Sequence, residues 1–201
     1  MLAETKLRSF IESVAAKTPT PGGGSVSVAA CAMGTALAIM AARYSDGPAP
    51  AEASEKLEAL KDEFIRLIDA DAAAYDRVDA ALGLPKESPE EKTRRKEALQ
   101  DALKEAAEVP LQGMQTAAKA LESILTYAPA CKRRLASDLG SAALMIEAGL
   151  LGCGLNVQAN ARLLEDRAVV ERLDLEGRRL VAEGNRLRGE ILKHVEAMYR
   201  K

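Results

Sequence analysis

An all-α fold is predicted by three observations. The helix formers Ala, Leu, Glu, Lys and Arg dominate a chain in which aromatic residues make up only 3% and Trp is absent. Apolar residues recur at i, i+3, i+4 and i+7 rather than in alternation, and Pro/Gly clusters fall as short breaks between those stretches. The architecture expected is an up-and-down bundle of long helices with two buried central helices. A length of 201 residues suits one domain, 1–201, with a sizeable core.

The first helix carries the stripe Leu7, Phe10, Ile11, Val14 and ends before TPTPGGGS, residues 18–25. In that loop Pro19 and Pro21 fix two backbone angles, while Gly22, Gly23 and Gly24 permit positive φ and close approach of other groups. Ser25 stands as an N-cap for the next helix. Residues 18–42 carry no charge. That run is long enough to raise a membrane span, but its helical part is mostly Ala, Ser, Gly and Val, so a core helix is expected. Ala30, Gly34, Ala38 and Ala42 lay small residues along one face, where a neighbouring helix can come close.

SDGPAP (45–50) is a breaker, and a third helix follows with the stripe Leu57, Leu60, Phe64, Leu67, Asp71, Tyr75, Val78, Leu82. Asp71 therefore occupies a core position, whereas Asp69 lies about 200° around the helix and faces solvent. An inward carboxylate is costly unless paired or neutral, and such groups often serve function; a neighbouring helix's Ser, Thr or Arg is the structural alternative. LPKESP (84–89) breaks the third helix, with Ser88 as N-cap before Pro89. The core stripe of the fourth runs Leu99, Leu103, Ala106, Pro110, Met114, Ala117, Leu121, Leu125. Pro110 removes a helical hydrogen bond and frees the Ala106 carbonyl, which predicts a kink or a break.

A basic break, Lys132 to Arg134, precedes Ser137 and Asp138, which suit the orphan amides of the next helix as caps. From Leu139 to Ala161 that helix carries one charge, Glu147, and reads as the second buried helix. Asn156 and Asn160 lie one turn apart on one face, where unpartnered amides would be too costly to be accidental. The last helix is amphipathic, with His194 beside its apolar stripe in a packing role.

Net charge is −2 and no basic block is long enough to track a phosphate backbone, so nucleic acid is not an expected partner. Three widely spaced cysteines and a mixed-charge N-terminus with no signal-peptide organisation point to the cytoplasm, with no membrane partner. No nucleophile constellation, Walker glycine loop or clustered His/Cys site occurs, so neither a metal nor a tightly bound cofactor is expected. These residues leave two classes open: an enzyme working through carboxylates, amides and backbone, or a non-catalytic helical interaction module.

The segments TPTPGGGSV (18–26), DADAAAYDRV (69–78), LPKESPEEKTRRKEALQDALKEAAEVPL (84–111), SDLGSAA (137–143) and NVQANARLLED (156–166) together resemble the formimino-tetrahydrofolate cyclodeaminase and methenyl-tetrahydrofolate cyclohydrolase family. The resemblance implies an all-helical, usually dimeric enzyme of one-carbon metabolism whose substrate is a tetrahydrofolate derivative. Hydrolysis is the favoured direction, because the chain has no room for the formiminotransferase domain joined to related members. Matching positions imply Asp138 and Asp71 as acid/base residues and Pro21, Gly22, Gly23, Gly24, Ser25, Lys86, Lys92, Arg95, Asn156 and Asn160 as substrate-binding. Lys86, Lys92, Arg95 or Lys132 to Arg134 would meet the glutamate tail of a folate, including a polyglutamylated one. Ala130, Cys131 and Lys132 stand where the family has a Gly-Asn loop. Asp138 and Asn156 share a helix face but sit about 27 Å apart, which predicts a homodimer with both chains contributing to the site.

Overall fold

The computed structural model describes residues 1–200. Six α-helices are present: α1 (Leu7–Ala15), α2 (Gly23–Arg43), α3 (Pro48–Leu82), α4 (Pro89–Tyr127), α5 (Ala136–Ala161) and α6 (Arg167–Arg200). No strand occurs among the described residues. Helices α2, α3, α4 and α5 form a ring in which each packs on its two neighbours, and α6 lies in the groove between α4 and α5.

The boundaries follow local chemistry. Helix α3 begins after Gly47, whose φ of 108° favours glycine, and Pro48 takes its first position. Helix α4 opens with a reciprocal capping box: Glu91 N donates to Ser88 Oγ at 3.1 Å and Ser88 N donates to Glu91 Oε2 at 3.1 Å. Such a cap stabilises by about 1 kcal/mol. Pro110 neither breaks α4 nor ends it, because the 39-residue helix runs through it.

Helices α2 and α5 approach most closely. A Cβ on Gly149 would lie 2.3 Å from Cys31 Sγ and 2.5 Å from the Ser27 carbonyl, and one on Gly34 would lie 2.8 Å from Ile146 Cγ1. Ser27 and Cys31 thus face Gly149 while Gly34 faces Ile146, so the two helices run antiparallel. Ala38 and Ala42 are buried as their spacing predicts. The single charge of α5's apolar stretch, Glu147, is buried and accepts hydrogen bonds from Arg188 of α6 at 2.8 Å. Pairing makes that burial tolerable.

Two expectations fail at the periphery. The apolar stripe of α1 does not pack inward: none of its residues is buried, and Leu7 and Ile11 are more than half exposed. Asp69 does not face solvent freely, since the Leu2 amide donates to its Oδ1 and its Oδ2 is buried without a partner. Both α2 and α5 are long and apolar enough to cross a membrane, yet about half of each such window is buried inside the bundle, 50% and 56%.

Candidate functional site

One end of the ring holds a cavity of about 230 Å³ lined by the loop before α2 (Pro19, Thr20, Gly22, Gly23, Gly24), by Asp71 and Tyr75 of α3, by Ala106 of α4 and by Asn156 and Asn160 of α5. Four elements distant in sequence converge there, and hydrogen bonds join α2 to α3 through Ser25 and Asp71 and α5 to α4 through Asn160 and the Ala106 carbonyl.

Asp71 is the centre. It lies on the inward face of α3, and Ser25 Oγ donates to its Oδ2 at 2.8 Å and contacts the Ile68 carbonyl at 3.3 Å. Ser25 is not the N-cap that its position suggested: α2 begins at Gly23 with Gly22 as N-cap, and Ser25 is fully buried beneath the carboxylate. Burial pushes the Asp71 carboxyl above the ordinary aspartate range, while hydrogen bonds from the Ser25 side chain and backbone pull it part of the way back. Cys153 lies behind it, its thiol pushed up to about 12 by burial and by the Asp71 charge.

The glycine run has a reason other than unusual backbone angles. Among the described residues only Gly47 has a positive φ. A Cβ on Gly24 would stand 2.1 Å from Asp71 Oδ1, and one on Gly23 would stand 3.3 Å from Asn156 Nδ2. These glycines let the first turn of α2 approach the carboxylate and the amide.

The two asparagines divide their labour. Asn156 Nδ2 donates to Gly152 O of its own helix at 2.9 Å, which fixes the amide beside Gly23. Asn160 Nδ2 donates across to the Ala106 carbonyl at 2.7 Å. That carbonyl is the one Pro110 leaves without its helical donor, so Asn160 fills the gap and α4 continues unbroken. Replacing Asn160 by Leu should strand the carbonyl and lower the unfolding free energy by about 1–3 kcal/mol. Urea denaturation reads this directly, and an unchanged midpoint and slope would show that the carbonyl has another donor.

Other expected site residues lie elsewhere. Pro21 is buried next to the lining residues. Lys86 and Lys92 are exposed and do not border the cavity, and the Arg95 guanidinium donates to the Leu82 carbonyl at 3.1 and 3.3 Å, closing the end of α3. Asp138 lies in the first turn of α5, but no side chain caps that helix, whose N-cap position is Leu135. Because α5 is continuous from Ala136 to Ala161, Asp138 stands about 27 Å from Asn156 in the same chain. Lys132 pairs with Asp46 at 2.9 Å, and the Arg134 guanidinium lies 5.6 Å from the Tyr44 ring centre. Tyr75 and Thr20 line the cavity unannounced: Tyr75 fits an apolar stripe, yet it is 43% exposed at the mouth.

A cavity with one raised carboxyl, two fixed amides and the N-terminal turn of a helix suits proton transfer next to a polar, planar substrate. Comparison with known proteins points the same way. Residues 6–179 match the family described as formiminotransferase-cyclodeaminase. The methenyltetrahydrofolate cyclohydrolase of Methylorubrum extorquens is 36% identical over 207 residues, 98% of this chain and 99% of that one. The formimidoyltransferase-cyclodeaminase of Mus musculus is 32% identical over 98% of this chain, which spans 38% of that protein. The crystal structure of formiminotetrahydrofolate cyclodeaminase from Thermotoga maritima superimposes with a TM-score of 0.87 at 26% identity, covering 99% of this chain and all of the other.

Proposed function

The chain belongs to the formiminotransferase-cyclodeaminase family, and from that premise we propose that it is a folate one-carbon enzyme acting at the 5,10-methenyl carbon of tetrahydrofolate. The observation that carries the chemical part is Asp71, a raised carboxyl held by Ser25 in a cavity that two asparagines share.

In hydrolysis, ionised Asp71 takes a proton from water as the water oxygen bonds to the cationic methenyl carbon. The same carboxyl then returns that proton to N5 as the carbon–N5 bond breaks, while the hydroxyl on the carbon gives its proton to solvent and becomes the formyl C=O, leaving 10-formyl-tetrahydrofolate. In deamination, N10 attacks the 5-formimino carbon, Asp71 takes the N10 proton, and ammonia leaves after protonation. A carboxyl raised towards working pH serves as both acceptor and donor, and its negative charge stabilises a cationic carbon nearby. Asn156 and Asn160 orient the pterin or the reacting nitrogen. The tetrahydrofolate derivative is substrate, not a resident cofactor.

Hydrolysis is the favoured direction, supported by the 36%-identical relative named for it. The setting proposed is the cytoplasm, in keeping with three free, buried cysteines. The test is the ultraviolet band of methenyl-tetrahydrofolate, followed once as its enzyme-dependent loss and once as its appearance from formimino-tetrahydrofolate. Loss alone assigns a cyclohydrolase and appearance alone a cyclodeaminase. No change in either, with the protein folded, would favour a non-catalytic helical module.

A further inference from the structure

The Asp71 cavity has two tiers. Gly23 and Gly24, adjacent in the first turn of α2, approach Asn156 and Asp71 respectively, so those two side chains lie at one level. Helix α2 runs antiparallel to α5, and also to α3, since its start lies against Asp71 and its last residue, Arg43, pairs with Glu58 at 2.6 Å. Helices α3 and α5 therefore run in the same direction. Four residues further along each, about 6 Å by the helical rise, stand Tyr75 and Asn160. Ser25, beneath the Asp71 carboxylate, is fully buried, whereas Tyr75 is 43% exposed. Asp71 and Asn156 are thus the inner tier, and Tyr75 and Asn160 the outer tier at the mouth.

The tiers offer different chemistry. The inner one presents a carboxylate, an amide and the first turn of α2, all groups that hydrogen-bond a polar edge. The outer one holds Tyr75, the only aromatic side chain lining the cavity among the described residues. The cavity volume of about 230 Å³ falls below the roughly 300–1,000 Å³ of pockets that enclose a drug-sized ligand. It therefore takes part of a folate and leaves the rest outside. Charge decides which part stays out: no Lys or Arg lines the cavity, and Asp71 already places a negative charge there, so a tail of carboxylates is excluded from the interior.

We infer that Tyr75 is the platform on which the p-aminobenzoyl ring of the substrate lies, so that the folate enters pterin first and its glutamate tail leaves through the mouth. The spacing agrees. N10 joins the methenyl carbon to that ring, whose centre is about 4 Å from the carbon, two carbon–nitrogen bonds and one ring radius of about 1.4 Å each. A methenyl carbon held against Asp71 thus sets the ring one helical turn outward, beside Tyr75. Two rings there meet in an offset or edge-to-face contact. The role also accounts for an aromatic residue in the apolar stripe of α3 that is 43% exposed instead of packed. The inference rests on the folate reading for the identity of the substrate.

Two fragments divide the substrate for the test: 6-methyltetrahydropterin carries the head, and p-aminobenzoylglutamate carries the ring and tail. Each is titrated as a competitive inhibitor of turnover at the methenyl carbon, and by calorimetry, against wild type, Tyr75→Phe and Tyr75→Ala. Tyr75→Ala should raise KM and weaken p-aminobenzoylglutamate by about five- to tenfold, the scale of one aromatic contact, while kcat and pterin inhibition stay within about twofold. Tyr75→Phe should keep the wild-type constants. Tyr75→Gln, also a good helix former, replaces the alanine variant if circular dichroism shows that one unfolded. Loss of kcat with both fragments weakened together would mean a merely structural Tyr75, and a weakened pterin fragment alone would mean the reverse orientation; either overturns the platform. Turnover with unaltered constants in Tyr75→Ala defeats the platform and leaves the folate reading standing. A wild type with no turnover and no heat of binding for either fragment defeats both.

Discussion

Asp71→Asn is expected to lower turnover by at least about a hundredfold, the usual scale for loss of a general acid/base, while making the fold more stable at neutral pH. The second half follows from linkage. The folded-state pKa of Asp71 is raised above the unfolded value near 3.8, so the native protein binds this proton more tightly than the unfolded chain does. The resulting contribution to stability is fully present below the unfolded pKa and is lost as pH rises through the folded one. At neutral pH the wild type therefore holds a buried charge that the asparagine lacks, while the Asn side-chain oxygen still accepts from Ser25. Thermal melts should place the variant above wild type at neutral pH, with the gap closing in acid. A variant that is less stable at neutral pH would mean that the hydrogen bonds from Ser25 to the carboxylate outweigh its burial.

Gly24→Ala should damage both fold and activity, and Gly22→Ala should not destabilise the fold. A methyl group at 24 would overlap the Asp71 carboxylate, lying 2.1 Å from Oδ1 and 2.6 Å from its carbon, so either α2 or the carboxylate must move. Overpacking of this kind costs about 1–3 kcal/mol. A displacement near 1 Å at the reacting group costs on the order of a hundredfold in rate. At 22 the nearest atom to a Cβ is the Pro19 carbonyl, 3.8 Å away, and the backbone there is extended, φ −117°. Urea denaturation and steady-state turnover of the two variants read the contrast. Equal behaviour would show that the loop is merely permissive and not fitted around Asp71.

Periodicity made most of the bundle legible. The stripes of α3, α4 and α6 are buried much as their spacing requires, and Asp71 stood out because an acid had taken a position in one of them. Asn156 and Asn160 stood out for a similar reason, as amides in an uncharged helix. What periodicity could not supply was partnership across elements. Nothing local to Pro110 reveals that Asn160, fifty residues later in the chain, replaces the missing donor, so a continuous α4 was not foreseeable.

The glycine run signalled close approach or positive φ, and only the tertiary position of Asp71 decides for approach. Ser25 looked like a cap because caps are local, whereas its actual partner comes from α3. An uncharged helix reads as buried on every side. The sequence therefore predicted two core helices, while the structure leaves one flank of each open at Met33, Leu144 and Leu155.

The central claim is that Asp71, ionised, takes the proton during attack on the methenyl carbon. The pH dependence of kcat/KM for methenyl-tetrahydrofolate hydrolysis, corrected for the uncatalysed reaction, tests it most directly because that ratio reports ionisations of the free enzyme. The expected profile rises with pH through a single ionisation above the ordinary aspartate range, the direction in which burial moves Asp71. A rate that is flat from about pH 4 to about pH 9, or that falls through this range, would contradict it.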